Sequence, residues 1–135
     1  MDQNKLEDLI TQIENYLECW KQFNQYVTQA RNKKFGQEDE SQFLELKSVL
    51  TQELELILST VECNSPTKEE VIALVSTTPS LRYLSEQNEA NLRNLENQWH
   101  KIYIGWQSIL GQLKVQQRQT VPKTSVWSSL FGRKK

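Results

Sequence analysis

The chain has little of what catalytic or cross-linked folds rely on. Its 135 residues include one histidine, two cysteines, three prolines and four glycines. Cys19 and Cys63 stand far apart, and neither has a second cysteine near it. Zinc-ligand and redox-pair spacings are therefore missing, and both thiols read as buried and inert. There is no glycine-rich loop to cradle a phosphate and no HExxH zinc pair. His100 falls one step off an apolar stripe, beside Trp99, and reads as a flank residue. A Cys–His nucleophile pair would need Cys19 or Cys63 beside it, and nothing in the sequence suggests that. The pairs Glu53/Glu55 and Glu69/Glu70 lack the Glu-x-x-His pattern of di-metal bundles and read as solvated faces. The expectation is a protein that binds rather than catalyses, with no cofactor and no metal.

Long hydrophobic runs are also missing. No stretch of about 18 apolar residues exists to span a bilayer. The polar residues 1–5 lead straight into amphipathic periodicity rather than into a signal-peptide core. The expected compartment is the cytoplasm. The third absence is local: no acidic residue follows Glu96. From residue 97 onward the charged residues are Lys101, Lys114, Arg118, Lys123, Arg133, Lys134 and Lys135, a sum of +7 against −8 for residues 1–96. That asymmetry is either spread over solvated helix or points to an anionic partner at the C-terminal end.

What is present is helical periodicity. A chain of this length is one domain, able to bury roughly two thirds of its unfolded surface without a disulfide or a metal. Leu6, Ile10, Ile13, Leu17, Trp20, Phe23 and Val27 step by three or four, predicting a helix over about 4–32 with one buried stripe. Asp2 and Asn4 are candidate N-caps. Arg31, Lys33 and Lys34 place positive charge at the C-terminal dipole end, and Phe35-Gly36 breaks the pattern. A second stripe, Phe43, Leu46, Leu50, Leu54, Ile57 and Val61, predicts a helix from near Asp39 or Ser41 to near Cys63. Asn64-Ser65-Pro66-Thr67 is a stop and a start. Ser65 before Pro66, or a Thr67/Glu70 capping box, would open a short helix over 68–76. Thr78 is the candidate cap for the next helix, with Pro79 at its first position.

The last periodic segment is the strongest. Leu84, Asn88, Leu92, Leu95, Trp99, Ile102, Trp106, Ile109 and Leu113 approach a heptad seam with one polar position, Asn88. A single helix over 79–117 would be about 58 Å long. No strand-like alternation competes. The expected fold is all-α: an antiparallel bundle of three long helices over 1–117 with a short connecting helix, with Trp20, Trp99 and Trp106 among its largest core residues.

Residues 118–124 (Arg118-Gln119-Thr120-Val121-Pro122-Lys123-Thr124) are polar and Pro-bearing and read as a flexible linker. Residues 125–135 then form an amphipathic, basic tail. If helical, Trp127, Leu130 and Phe131 share one face, with Val126 beside them and Arg133, Lys134 and Lys135 following. These six residues, Trp127, Leu130, Phe131, Arg133, Lys134 and Lys135, are the candidate partner-binding set. They suit a hydrophobic groove on a protein partner or an anionic membrane surface. The alternative is a tail that folds back over one end of the bundle. Three cations add about 1 kcal/mol each at an acidic leaflet, and four apolar side chains are too few for a permanent anchor, so membrane contact would be reversible.

Nucleic acid is not expected as a partner: the bundle is acidic, and neither a zinc nor a helix-turn-helix signature is present. A homo-oligomer is an open alternative, because a helical seam can be completed by a second copy. The stretch Leu81-Arg82-Tyr83-Leu84-Ser85-Glu86-Gln87-Asn88, continuing through Asn91-Leu92, alternates Asn with Leu. With the long helices and the tail, it resembles the flagellar export chaperones of the FlgN kind. That resemblance implies a cytoplasmic helical protein holding unfolded export substrates, with an apolar groove on the last helix formed by Tyr103, Ile104 and Leu110. The residues themselves favour a non-enzymatic adaptor or scaffold that uses the tail.

Overall fold

The computed structural model describes residues 2–61 and 66–120. They form five α-helices and no strand: α1 (Gln3–Arg31), α2 (Gln37–Leu58), α3 (Lys68–Ser76), α4 (Leu81–Ser85) and α5 (Glu89–Thr120). The all-α class expected from the periodicity is what the chain adopts.

Helix α1 opens on Asp2, whose side chain accepts a bond from Lys5 N at 2.8 Å. It satisfies one of the first-turn donors that a helix leaves orphaned. The helix closes through Lys33, which takes a left-handed φ of 58°. Lys33 N then reaches Ala30 O and Lys34 N reaches Gln29 O, the bond pair that ties off the last carbonyls. Gly36 caps α2, and its own N–H is accepted by Asp39 at 2.8 Å. This sets the start of α2 at Gln37, two residues before Asp39, the earlier of the two starts expected from the sequence. Its end at Leu58 comes earlier than the stripe through Val61 implied, and Ser59 Oγ closes back onto Leu56 O. Thr67 and Glu70 make the expected reciprocal capping box at the start of α3.

The one long helix expected over 79–117 is two helices. Thr78 does not cap α4. It is buried, and its hydroxyl donates to Leu74 O and Val75 O, so it finishes α3 instead. Ser80 caps α4 through Tyr83 N. Asn88 accepts from Asn91 N at 2.8 Å and starts α5. It is a cap and not the polar member of a continuous seam. At its other end α5 runs through Thr120, so residues 118–120 are helical rather than part of a linker.

The link between α3 and α4 is fastened to α2. Glu40 accepts from Leu81 N and Arg82 N, supplying the start of α4 with acceptors from 41 residues upstream. Lys47 Nζ donates to Thr78 O and Pro79 O while lying over the Phe43 ring. Burial pulls the Lys47 ammonium below its ordinary pKa, with the Glu40 carboxylate acting the other way.

Helix α1 is the centre of the packing, touching α2, α4 and α5. Its partners run in reverse order on both neighbours. Gln12, Tyr16 and Tyr26 meet Glu53, Leu50 and Gln42 of α2. Glu14, Tyr16 and Trp20 meet Lys114, Trp106 and Trp99 of α5. Helix α3 packs on both α2 and α5, and α4 packs on α1 and α2. The connector is therefore part of the core, to which it adds Val71, Leu74, Leu81 and Leu84.

Trp20 and Trp106 are fully buried, with the Tyr16 ring set edge-on to both at 6.1 and 5.3 Å. Tyr16 donates its hydroxyl to Leu50 O at 2.7 Å, and burial drives its pKa far above the ordinary phenol value. Trp99 sits at the core's edge. Its indole N–H donates to Trp20 O at 2.8 Å, and its ring stacks on Tyr103 at 4.9 Å. A half-buried position suits an indole whose polar edge has an acceptor and whose face has a partner.

Candidate binding surfaces

The six residues singled out in the sequence, Trp127, Leu130, Phe131, Arg133, Lys134 and Lys135, lie outside the described residues, as does Cys63. What the structure does supply is the body to which that tail is joined, and its surface divides into three regions.

The first is a groove of about 420 Å³ between α1 and α2, lined by Asp8, Gln12, Tyr16, Cys19, Val49 and Glu53 among others. The buried Tyr16 ring and Val49, which is 39% exposed, line it beside the polar Thr11, Gln12 and Asn15. Its rim is acidic. Glu53 accepts a bond from Gln12 Nε2 at 3.0 Å, and neither Asp8 nor Glu53 is ion-paired among the described residues. Cys19 is half-buried on the wall, and burial, then Glu53 and Glu18, push its thiol pKa up. Cys19 is thus only half-buried, where the sequence reading expected a buried thiol.

The second is the outer face of α5. Ile104 and Val115 are about half exposed, and Tyr103 and Leu110 rest half-buried against the core. Gly111 lies on this face with nothing within 4 Å of where a Cβ would stand. The face is apolar but shallow, and the exposed apolar residues are separated by Gln107 and Ser108.

The third is a polar cleft of about 180 Å³ where α4 meets α5, bounded by Tyr83, Gln87, Asn91 and Gln98. Gln87 and Asn91 already bond one another, and Gln87 Nε2 donates to Tyr83 O. Their amides are largely committed to the turn that separates the two helices.

Part of the charge on the body is compensated in pairs. Arg31 reaches Glu89 and Glu96, Lys101 reaches Glu70 at 3.0 Å, Lys114 reaches Glu14 at 3.4 Å, and Lys68 pairs with Glu55. The cations at 101 and 114, counted in the sequence toward a basic C-terminal half, are thus neutralised locally. The bond from Thr67 N, then Lys101, holds the Glu70 carboxyl below its ordinary pKa. His100 is exposed, with its ring 6.3 Å from that of Trp99. Among the described residues no three metal-binding side chains converge, and no helix is long and apolar enough to cross a membrane.

Sequence reasoning missed the α1/α2 groove. Asp8, Gln12, Asn15 and Cys19 recur at helical spacing on the side of α1 away from its apolar stripe, and that spacing was the only signal available. Comparison with family models, with curated proteins and with solved structures finds no match to this chain.

Proposed function

We propose that the chain is a non-enzymatic adaptor or scaffold: an antiparallel bundle of three long helices carrying a tethered C-terminal peptide that docks to a partner groove or an anionic membrane surface. One observation carries this reading. The apolar core of the described residues runs from Leu6 to Leu113, and its largest members, Trp20, Trp106, Tyr16, Phe23 and Phe43, are already fully buried. Such a core is filled without Trp127, Leu130 and Phe131. Large apolar side chains beside Arg133, Lys134 and Lys135 then suit a docking task.

The neutralisation of Lys101 and Lys114 supports the same division of labour. Of the seven cations behind the C-terminal charge asymmetry, these two are therefore spent on the body itself. The docking chemistry is apolar insertion assisted by charge. If the target is a vesicle, salt weakens binding, because exposed charges are screened within about 8 Å at physiological ionic strength. If the target is a protein groove, Trp127→Ala is far more damaging than Lys134→Ala, because buried aromatics dominate such contacts.

The test is affinity capture and co-sedimentation with phosphatidylserine-containing vesicles, comparing the full chain with one ending at Gln119. Loss of all specific binding on truncation is the expected outcome. Equal binding by both proteins would overturn the proposal and favour the second reading, an export chaperone that grips unfolded chains with α5. The exposure of Ile104 and Val115 on that helix is the observation in its favour.

A further inference from the structure

The α1/α2 groove is lined by Tyr16 and Val49 together with the carboxylates Asp8 and Glu53, and no cation is among its lining residues. Residues 121–135 offer the complement: Trp127, Leu130 and Phe131, four cations (Lys123, Arg133, Lys134 and Lys135) and no acid. We propose that this groove is the resting place of the chain's own C-terminal segment, with Trp127 over Tyr16 and Val49 and the terminal cations against Asp8 and Glu53. The proposal rests on the reading of the tail as the binding element, and deepens it: the tail is held by its own body until a partner competes for it.

The end of α5 is in the right place. Helices α1 and α5 run in reverse order, and Lys114 lies 3.4 Å from Glu14. Thr120 is six residues beyond Lys114, about 9 Å farther along the axis, and the residue six before Glu14 is Asp8, on the groove's rim. Thr120 therefore ends level with the groove, on the opposite flank of α1. Six residues separate Thr120 from Trp127, and an extended chain of six spans up to about 20 Å. A helix is about 10–12 Å across with its side chains, so this length suffices to cross the outer face of α1.

Charge distinguishes this groove from the other two regions. The cleft between α4 and α5 is lined by amides, Tyr83, Thr77 and three leucines, with no carboxylate among its lining residues. The exposed apolar residues of α5 alternate with Gln107 and Ser108 and have no acidic rim. Of these three regions, the α1/α2 groove is the one that offers a basic, aromatic peptide both carboxylates and an aromatic ring. Tethering also raises its effective concentration there, so a weak contact suffices for high occupancy.

Cys19 on the groove wall makes the contact measurable. In the full chain carrying Cys63→Ser, the rate of Cys19 alkylation by iodoacetamide reports how often the groove is open. A groove occupied about nine tenths of the time slows alkylation about tenfold, so Trp127→Ala is expected to raise the rate by about that factor. Asp8→Lys is the second variant. It reverses charge at the rim without altering Glu53 or Glu18, the carboxylates that raise the Cys19 pKa, and the expected rise is again several-fold, approaching the same tenfold ceiling. Circular dichroism melts of each variant establish that the fold is intact.

Protection of Cys19 that is independent of protein concentration and lost in both variants is the predicted result. Equal rates in all three proteins would overturn it. Protection that grows with protein concentration would overturn it as well, assigning the groove to a second copy. Vesicle binding read alongside separates the two proposals. Tighter binding by Asp8→Lys supports both. Vesicle and partner binding by the tail with an unprotected Cys19 leaves the adaptor reading standing and removes this one. A protected Cys19 with no external binding does the reverse.

Discussion

Trp106 combines the largest volume in the core with contacts to the first and last long helices, since its ring meets Tyr16 edge-on at 5.3 Å. Trp106→Ala is expected to destabilise by about 3–5 kcal/mol, the range for deleting a buried aromatic whose site cannot collapse. Chemical denaturation measures it. Glu70 offers a test by pH. Its carboxyl is held below the ordinary value by Thr67 N and Lys101. Its folded pKa is lower than its unfolded one, so its contribution is present above the unfolded value of about 4.3 and is lost as pH falls through the folded value. Glu70→Gln should therefore lower stability at pH 7 and flatten the acid limb of a stability–pH profile below about pH 5. Both residues were partly legible in the sequence: Trp106 from its place in the stripe, Glu70 from its spacing to Thr67. Glu40 stands in the first turn of α2, where its charge suits that helix's own dipole. Its bonds to Leu81 N and Arg82 N come from tertiary packing, which no local pattern encodes.

Among the elements, α1 and α3 were readable almost to the residue, because strong local caps at Asp2 and Thr67 mark their starts. The region from 77 to 88 was not. Thr78-Pro79 and a heptad step through Asn88 both pointed to one long helix, and the same residue types serve as caps and as seam positions. What separated α4 from α5 is the competition of Asn88's side chain for the backbone N–H of Asn91. The two readings predict opposite results for Asn88→Leu. In a continuous seam an apolar residue there would fill the core and stabilise. At an N-cap it removes an acceptor and costs about 0.5–2 kcal/mol. The structure predicts the loss, read from the thermal midpoint of the variant. The same paragraph of chain explains why the connector was underestimated: α3 and α4 are too short to show a convincing stripe, yet Val71, Leu74, Leu81 and Leu84 are buried.

At the scale of the whole molecule, the proposal gives the α1–α5 body and the tail separate roles. The body buries its apolar stripes against one another, while a dense cluster of apolar and cationic residues follows Thr120 in the sequence. The sequence made that contrast visible through composition alone, since the last acidic residue is Glu96 and periodicity stops near residue 117. It did not reveal the α1/α2 groove, because a groove depends on how two helices meet. A tail resting there about nine tenths of the time stabilises the body by only about 1.4 kcal/mol. A shift of that size moves a melting temperature by a few degrees in a chain of this length. A tail that belonged to the core would carry several buried large side chains and move it much further. The direct measurement is calorimetry of the full chain beside a chain ending at Thr120, with partner and vesicle binding followed on the same samples. The account predicts a melting temperature within about 6 °C of the full chain's, together with loss of binding. A fall of more than about 10 °C with binding retained would show that Trp127, Leu130 and Phe131 are structural, and would contradict it.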